Sequence, residues 1–158
     1  MEKTDTRPPF AASGGVIPPE FRKIKTPCYV LDETALIKNA ELMGKIAERT
    51  GCKMLLAQKA FSNYDCYHLL EPYLAGTEAS GLYEARLGAQ EMPGKEVHVF
   101  CAGYREEEFE ELLCFADHIV FNSPSQLLRF GKKSEAGREK CRAQDQSGML
   151  YPGRTCNL

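Results

Sequence analysis

The stretch KMLLAQK, Lys53 to Lys59, is an apolar run that ends in a lysine. Buried strands of parallel sheets have this near-continuous hydrophobic pattern. Residues at the carboxyl ends of such strands face the region where α/β proteins bind their ligands. The sequence therefore predicts a buried strand that carries an amine at its functional end. Lys59 is a candidate for forming a Schiff base, and the alternative is a surface lysine that closes a strand.

Strand and helix patterns alternate along most of the chain. Apolar segments that predict strands start near residues 28, 54, 77, 97 and 119, about every 20 to 26 residues, and a helical pattern follows each one. This order is typical of an α/β protein with a parallel sheet. A (β/α) barrel is favoured over a doubly wound sheet, because no glycine-rich turn follows the first predicted strand. The predicted strands are Cys28–Leu31, Met54–Gln58, Thr77–Ser80, Val97–Cys101 and Ile119–Phe121.

The number of repeating units defines the predicted domain. A closed barrel needs eight units and about 250 residues, whereas five units are recognisable here, so residues 24–131 are predicted to form a partial (β/α)8 TIM barrel. Residues 1–23, with Pro8-Pro9 and Gly14-Gly15, have no periodicity and predict a flexible lead-in. Residues 132–158 lack apolar periodicity and predict a disordered tail.

Several polar residues are predicted to have structural roles. Asp32 is expected to cap a helix that Gly51 ends, with its apolar face formed by Leu36, Ala40, Met43 and Ala47. The glutamates between positions 106 and 111 predict a solvent-exposed helix face. Acidic side chains are favourable near the N-terminus of a helix. The three histidines are predicted to be structural rather than catalytic. His118 begins a predicted strand, His98 lies within one, and His68 lies in a predicted helix.

Composition narrows the functional class. The net charge of −2, from 20 basic and 22 acidic residues spread along the chain, predicts no binding to nucleic acid or to an anionic membrane. A small-molecule ligand is therefore expected. No spanning helix or signal peptide is recognisable, so a cytoplasmic location is expected. None of the seven cysteines has the spacing of metal ligands, which disfavours a zinc site and a disulfide scaffold, and no metal is predicted.

Five blocks of sequence resemble one family in order: TPCYVLDE (26–33), GCKMLLAQKAFS (51–62), GTEASGLYEARLG (76–88), EVHVFCAGY (96–104) and ADHIVFNSPSQLLRF (116–130). Together they resemble the carboxynorspermidine/carboxyspermidine decarboxylases. These are fold-type III, alanine racemase-like enzymes that depend on pyridoxal 5′-phosphate (PLP). The resemblance implies the N-terminal half of such an enzyme, with an alanine racemase-like barrel, a polyamine substrate and a homodimer in the intact family.

The resemblance also implies a cofactor site. In this family the lysine at the end of the second strand holds PLP, and Lys59 matches it. Strand alternation places Lys59 and Ala57 on one face, where apolar neighbours are expected to desolvate the amine. Relatives have polar groups near the cofactor at positions that match Glu78, Ser80 and Glu84. For these three residues, a helix cap and a solvated first turn are the alternative.

The tail departs from the family pattern. The next family strand reads about GLRINPECST, and a DNA sequence that encodes it gives RAQDQSGMLY in a neighbouring reading frame, which is Arg142 to Tyr151 of this chain. A frameshift near residues 137–141 is therefore predicted, and the remaining cofactor-binding and substrate-binding motifs are not recognisable. The expected reaction is PLP-dependent decarboxylation of carboxynorspermidine or carboxyspermidine, with the fragment inactive alone. Alternatives are an amino-acid racemase, a diaminopimelate- or ornithine-type decarboxylase, or a non-enzymatic degenerate fragment.

Overall fold

The structure, a computed structural model, describes residues 19–134. Residues 1–18 of the predicted lead-in lie outside this range, as does most of the predicted out-of-frame tail. The last lead-in residues, Pro19–Lys23, form a short 3-10 helix. Across residues 19–134, no helix has the length and apolar character needed to cross a membrane.

One parallel sheet organises the described chain. Its four strands are β1 (Leu55–Ala57), β2 (Gly76–Ala79), β3 (Glu96–Cys101) and β4 (His118–Phe121), and their order in the sheet is their order in the sequence. Parallel strands that are neighbours both in sequence and in space are the arrangement of a (β/α) barrel. Four of the five predicted strands are thus confirmed, each to within one residue at either end.

The predicted first strand, Cys28–Leu31, is wrong. Residues 28–31 have no strand pairing, and their side chains are exposed, that of Tyr29 fully so. A barrel strand is stabilised by neighbours on both edges and by cover on both faces. Among residues 19–134, the only candidate neighbour for this segment is β1, so pairing would leave its other edge bare. The structure therefore contains four strand-helix units, not the predicted five.

A helix follows each of the four strands, as the sequence patterns predict, and one further helix precedes β1. They are α1 (Glu33–Thr50), α2 (Tyr67–Leu70), α3 (Leu82–Glu91), α4 (Glu106–Leu113) and α5, described over 124–134. Asp32 Oδ1 accepts a hydrogen bond from the backbone N–H of Ala35 at 3.0 Å, which confirms the predicted N-cap. Gly51 ends α1 with φ at +70°, a left-handed conformation that glycine adopts without steric cost.

The apolar faces predicted for α3 and α4 are buried in the structure, and that predicted for α1 is buried in part. Phe109, Leu112 and Leu113 of α4 are buried, while its first turn carries Glu106 to Glu108 toward the helix N-terminus. In α1, Ala40 is the buried residue, and the predicted core residue Met43 is 47% exposed. Four of the described cysteines are free: Cys28, Cys52, Cys66 and Cys101.

All helix packing in the described core is on one face of the sheet. Val97 and Val99 of β3 are buried in a cluster with Phe109 and Leu112 of α4. Because side chains alternate along a strand, Glu96, His98 and Phe100 must face the opposite side. We call this opposite side the open face. Phe100 and Val120 on it are 40% and 50% exposed, so no described element covers it.

A buried glutamine joins three elements beneath β1. The Gln58 side chain is 1% exposed and lies on the helix side of the sheet. Its Nε2 donates to the backbone carbonyl of Glu84 at 2.8 Å, and its Oε1 accepts from the Tyr67 hydroxyl at 3.1 Å. The end of β1 is thereby tied to the first turn of α3 and to α2. A polar residue stands at this position because it bridges two helices.

Gly88 of α3 allows the close approach that this contact requires. A Cβ atom at position 88 would overlap Oγ1 of Thr77 and would lie 3.2 Å from Nε2 of Gln58. Thr77 is fully buried in β2 and cannot move aside without disturbing the sheet. The absence of a side chain at position 88 therefore sets the distance between α3 and β2.

We expect Gly88→Ala to lower the free energy of unfolding by about 1–3 kcal/mol, the usual cost of overpacking a core. The measurement is the urea midpoint, followed by circular dichroism. Gly103→Ala is the matched control, because a Cβ atom at position 103 would have no neighbour within 4 Å. Equal midpoints for the two variants would contradict the packing argument.

We expect Gln58→Leu to lower the free energy of unfolding by about 1–3 kcal/mol, because the Glu84 carbonyl and the Tyr67 hydroxyl would lose a buried hydrogen-bonding partner. Lys59→Leu is the neighbouring control, and we expect its effect to stay within about 0.5 kcal/mol because Lys59 is exposed. Urea unfolding of both variants tests the difference. A neutral Gln58→Leu substitution would show that the network adds no net stability.

Tyr67 should make stability depend on alkaline pH. Burial raises the pKa of Tyr67 to about 12, with smaller contributions from the charges of Glu84 and Glu91. The unfolded phenol titrates near pH 10, so this contribution to stability is complete below pH 10 and is lost as the pH rises toward about 12. Tyr67→Phe should reduce this loss, measured as unfolding free energy against pH. An unchanged profile would contradict the assignment.

Candidate active site at the carboxyl ends of the strands

Lys59 lies just beyond the carboxyl end of β1, where the sequence predicts it. The strand ends at Ala57, because the Ala57 carbonyl accepts the backbone N–H groups of Ala60 at 2.9 Å and Phe61 at 3.1 Å. Lys59 is therefore in a turn, and its side chain is exposed. The predicted desolvation of the amine is not seen among the described residues, since Ala57 is also exposed and no described element covers the open face. The amine is accessible.

Gln58 and Lys59 face different environments although they are adjacent in the chain. Gln58 is buried against α2 and α3, as described above, while Lys59 remains accessible to ligands. The backbone N–H of Gln58 also donates to the carbonyl of Glu78 in β2 at 3.1 Å. These contacts fix the backbone immediately before the lysine. The turn that carries the amine is consequently anchored to the core through its buried neighbour.

Ser80 and Glu84 meet at the carboxyl end of β2. Oε2 of Glu84 accepts a hydrogen bond from the backbone N–H of Ser80 at 2.6 Å and so fixes the backbone just before Gly81, the N-cap of α3. This contact is structural, but it does not cap the N–H groups of α3 itself. The Ser80 hydroxyl is buried and has no hydrogen-bonding partner among the described residues. A buried hydroxyl without a partner leaves a donor and an acceptor for a ligand.

Glu78 lies on the open face, one strand away from Ala57. The register pairs Ala57 with Glu78, Glu78 with His98 and His98 with His118. These four residues form a row across the sheet, because residues paired in register share a face. Glu78 is half-buried. The structure therefore brings Ala57 and Glu78 onto one surface, while Ser80 and Glu84 lie at its rim.

A cavity of about 310 Å³ lies at the same edge of the sheet, between the first turns of α3 and α4. Ser80, Glu84 and Tyr104 contribute to its lining. The Tyr104 hydroxyl donates to the carbonyl of Val120 at 2.8 Å and lies 3.2 Å from that of Val99. Burial raises the pKa of Tyr104 to about 12, so this hydroxyl stays protonated near neutral pH. Tyr104 holds together the ends of β3 and β4.

Sequence patterns did not identify Tyr104, and they treated the three histidines separately. His68 is exposed in α2, His98 lies within β3 and His118 begins β4, as predicted. The structure adds that His98 and His118 are direct partners in register. The spacing of Glu96 and His98, two residues apart on a strand, was a usable signal, because such residues share a face.

Comparisons with known proteins agree on one family. No protein-family model matches the chain. Two curated carboxynorspermidine/carboxyspermidine decarboxylases are similar: that of Herminiimonas arsenicoxydans is 37% identical over 84% of this chain, and that of Campylobacter jejuni is 39% identical over 73%. A carboxyaminopropylagmatine decarboxylase of Synechocystis is 38% identical over 71% of the chain.

A solved structure agrees with this result. The crystal structure of carboxynorspermidine decarboxylase from Campylobacter jejuni, complexed with norspermidine, superimposes with a TM-score of 0.68 at 38% identity over 71% of this chain. The chain matches 34%, 30% and 29% of the lengths of the three curated relatives and 30% of the crystallised protein. It spans about a third of these proteins. By sequence and by fold, the chain belongs to the family of carboxynorspermidine/carboxyspermidine decarboxylases.

Proposed function

We propose that this chain is part of a PLP-dependent decarboxylase of polyamine biosynthesis. Its substrate would be carboxynorspermidine or carboxyspermidine, and its products CO2 and norspermidine or spermidine. The observation that carries the proposal is the accessible amine of Lys59 at the carboxyl end of β1, in a chain 37–39% identical to such decarboxylases. This is the edge of the sheet at which barrel enzymes bind their substrates.

The described residues fit part of a PLP site. Lys59 offers the amine that would hold the cofactor aldehyde, and the unpartnered Ser80 hydroxyl offers a polar contact at the same edge. Ala57, exposed on the open face, leaves space beside the lysine. Glu78 lies next to Ala57 on that face, while Glu84 holds the Ser80 backbone in place. When bound, PLP supplies the electron sink for the electron pair that remains as CO2 departs.

The chain by itself is proposed to be inactive or nearly so. Its open face is uncovered in the described part, so bulk water reaches the surface on which the amine lies. Decarboxylation requires the scissile bond to be oriented and the site to be shielded from water. The relatives are about three times as long as the matched segment, and we propose that their remaining length supplies this cover. A homodimer and a cytoplasmic location are proposed for the intact enzyme.

A second candidate substrate is carboxyaminopropylagmatine. The identity to the Synechocystis decarboxylase, 38%, lies between those to the other two relatives, 37% and 39%. The substrates share an α-amino acid end, at which decarboxylation takes place, and differ at the distal end of the chain. Lys59 and Ser80 would serve either substrate equally. Substrate specificity would therefore depend on residues that contact the distal end of the substrate.

Borohydride trapping tests the cofactor site. We expect that incubation of the chain with PLP and borohydride attaches a pyridoxyl group to Lys59, which peptide mapping by mass spectrometry would identify. The label should be lost in Lys59→Arg and retained in Lys45→Ala, because Lys45 is an exposed lysine of α1 away from the strand ends. Folded protein with no preferred label on Lys59 would contradict the cofactor assignment.

Activity tests the reaction. The matched segment should be fused in frame to the remaining two thirds of the Campylobacter jejuni enzyme, and CO2 release should be measured with each of the three carboxylated substrates. We expect activity with carboxynorspermidine or carboxyspermidine and at least a 1000-fold loss in Lys59→Ala, since that substitution removes the group that holds the cofactor. A folded chimera that binds PLP on Lys59 but releases no CO2 would contradict the decarboxylase assignment alone.

A further inference from the structure

A second polar cluster lies on the open face, on β3 and β4, and its His98 is the register partner of Glu78. Glu96 begins β3, His98 is two residues further along the same strand, and His118 begins β4. His98 and His118 are partners in register. Two rigid neighbouring strands therefore position all three side chains. No step of the proposed decarboxylation uses them.

The three side chains already approach one another at the distances of a metal site. Nε2 of His98 lies 2.9 Å from Oε2 of Glu96, and Nε2 of His118 lies 4.0 Å from the same oxygen. One ligand atom from each residue lies within 4.8 Å of the other two. Tetrahedral zinc coordination requires its ligand atoms to be about 3.3 Å apart. The two separations from Oε2 of Glu96, 2.9 Å and 4.0 Å, lie on either side of that spacing.

The surroundings of Glu96, His98 and His118 favour the binding of a metal ion. The imidazole rings of His98 and His118 lie 4.3 Å apart at 32°. Lys53 donates to Oε1 of Glu96 and so orients Oε2 toward the histidines. Its ammonium opposes a bound cation only weakly, because its side chain is 60% exposed.

The geometry points to a site for a divalent transition-metal ion of the zinc class, bound by Glu96, His98 and His118. Two imidazoles and one carboxylate suit zinc and its neighbours in the transition series, with a fourth position open to water. This proposal departs from the sequence-based prediction that the chain has no metal site, which rested on cysteine spacing. The ligands come from two strands, so the ion would fasten the edge strand β4 to β3. This role is structural and does not depend on the proposed decarboxylation.

Metal titration of the full chain tests the site. The protein is treated with a chelator under reducing conditions and then titrated with Co2+ alone, whose visible absorption reports tetrahedral coordination. We expect one saturable site. His98→Ala and His118→Ala should each weaken binding by more than about tenfold, since even the loss of an outer-sphere partner costs 10- to 100-fold. His68→Ala is the matched control, because His68 is the third histidine and is exposed in α2, and its affinity should be unchanged.

Stability gives an independent measurement. Zn2+ added to the chelator-treated protein should raise its Tm, because an ion that binds only the folded state stabilises that state. The rise should be absent in Glu96→Gln and in His118→Ala. His118 is 53% exposed, so its replacement should leave the metal-free fold intact, as circular dichroism can verify. Absence of saturable Co2+ binding, equal affinity in all variants, or the ultraviolet charge-transfer band of cysteine thiolate ligands would each overturn the proposal.

Discussion

The arrangement of the candidate site depends on the buried hydrogen bonds of the Gln58 amide. β1 is only three residues long, and so short a strand has few ladder hydrogen bonds of its own to hold it in place. Gln58 adds two side-chain contacts, to the Glu84 carbonyl of α3 and to the Tyr67 hydroxyl of α2. Inside a protein such contacts are strong, and leaving their partners unsatisfied is costly. The position of the neighbouring Lys59 follows from them.

The same turn of α3 serves both strands of the site. The backbone carbonyl of Glu84 receives the amide of Gln58, and its side chain receives the backbone N–H of Ser80. The ends of β1 and β2 are therefore positioned by one residue of one helix. Gly88, one helical turn further along α3, lets that helix lie directly on Thr77. Helix placement, more than the sheet ladder, thus determines where the amine and the free hydroxyl lie.

Sequence patterns predict the parts of the fold that depend on interactions between residues close together in the chain. The strands β1 to β4 read as apolar segments, and the N-cap Asp32 and the terminator Gly51 follow from backbone chemistry. The segment 28–31 has an equally good strand pattern, but strand formation depends on partners that a local pattern does not contain. Exposure of Lys59 was missed for the same reason, since desolvation requires elements that cover the open face. The cluster of Glu96 with two histidines required the register between strands.

The sheet separates two kinds of chemistry along its strands. The carboxyl ends carry the accessible amine and the unpartnered hydroxyl, whereas the amino ends carry two imidazoles and a carboxylate. In barrel proteins the first edge is where catalysis takes place, and the second mainly contributes stability. This division agrees with a ligand-binding role for Lys59 and Ser80 and a fastening role for the histidine pair.

The fully buried position of Tyr67 has an optical consequence. The chain contains seven tyrosines and no tryptophan, so phenol rings are its dominant near-ultraviolet chromophores. Tyr67 is 0% exposed, at the centre of the cluster beneath β1. An immobilised ring in asymmetric surroundings gives a near-ultraviolet circular dichroism band that disappears when packing is lost. The core next to the candidate site therefore contains its own spectroscopic reporter, and its integrity can be followed without a label.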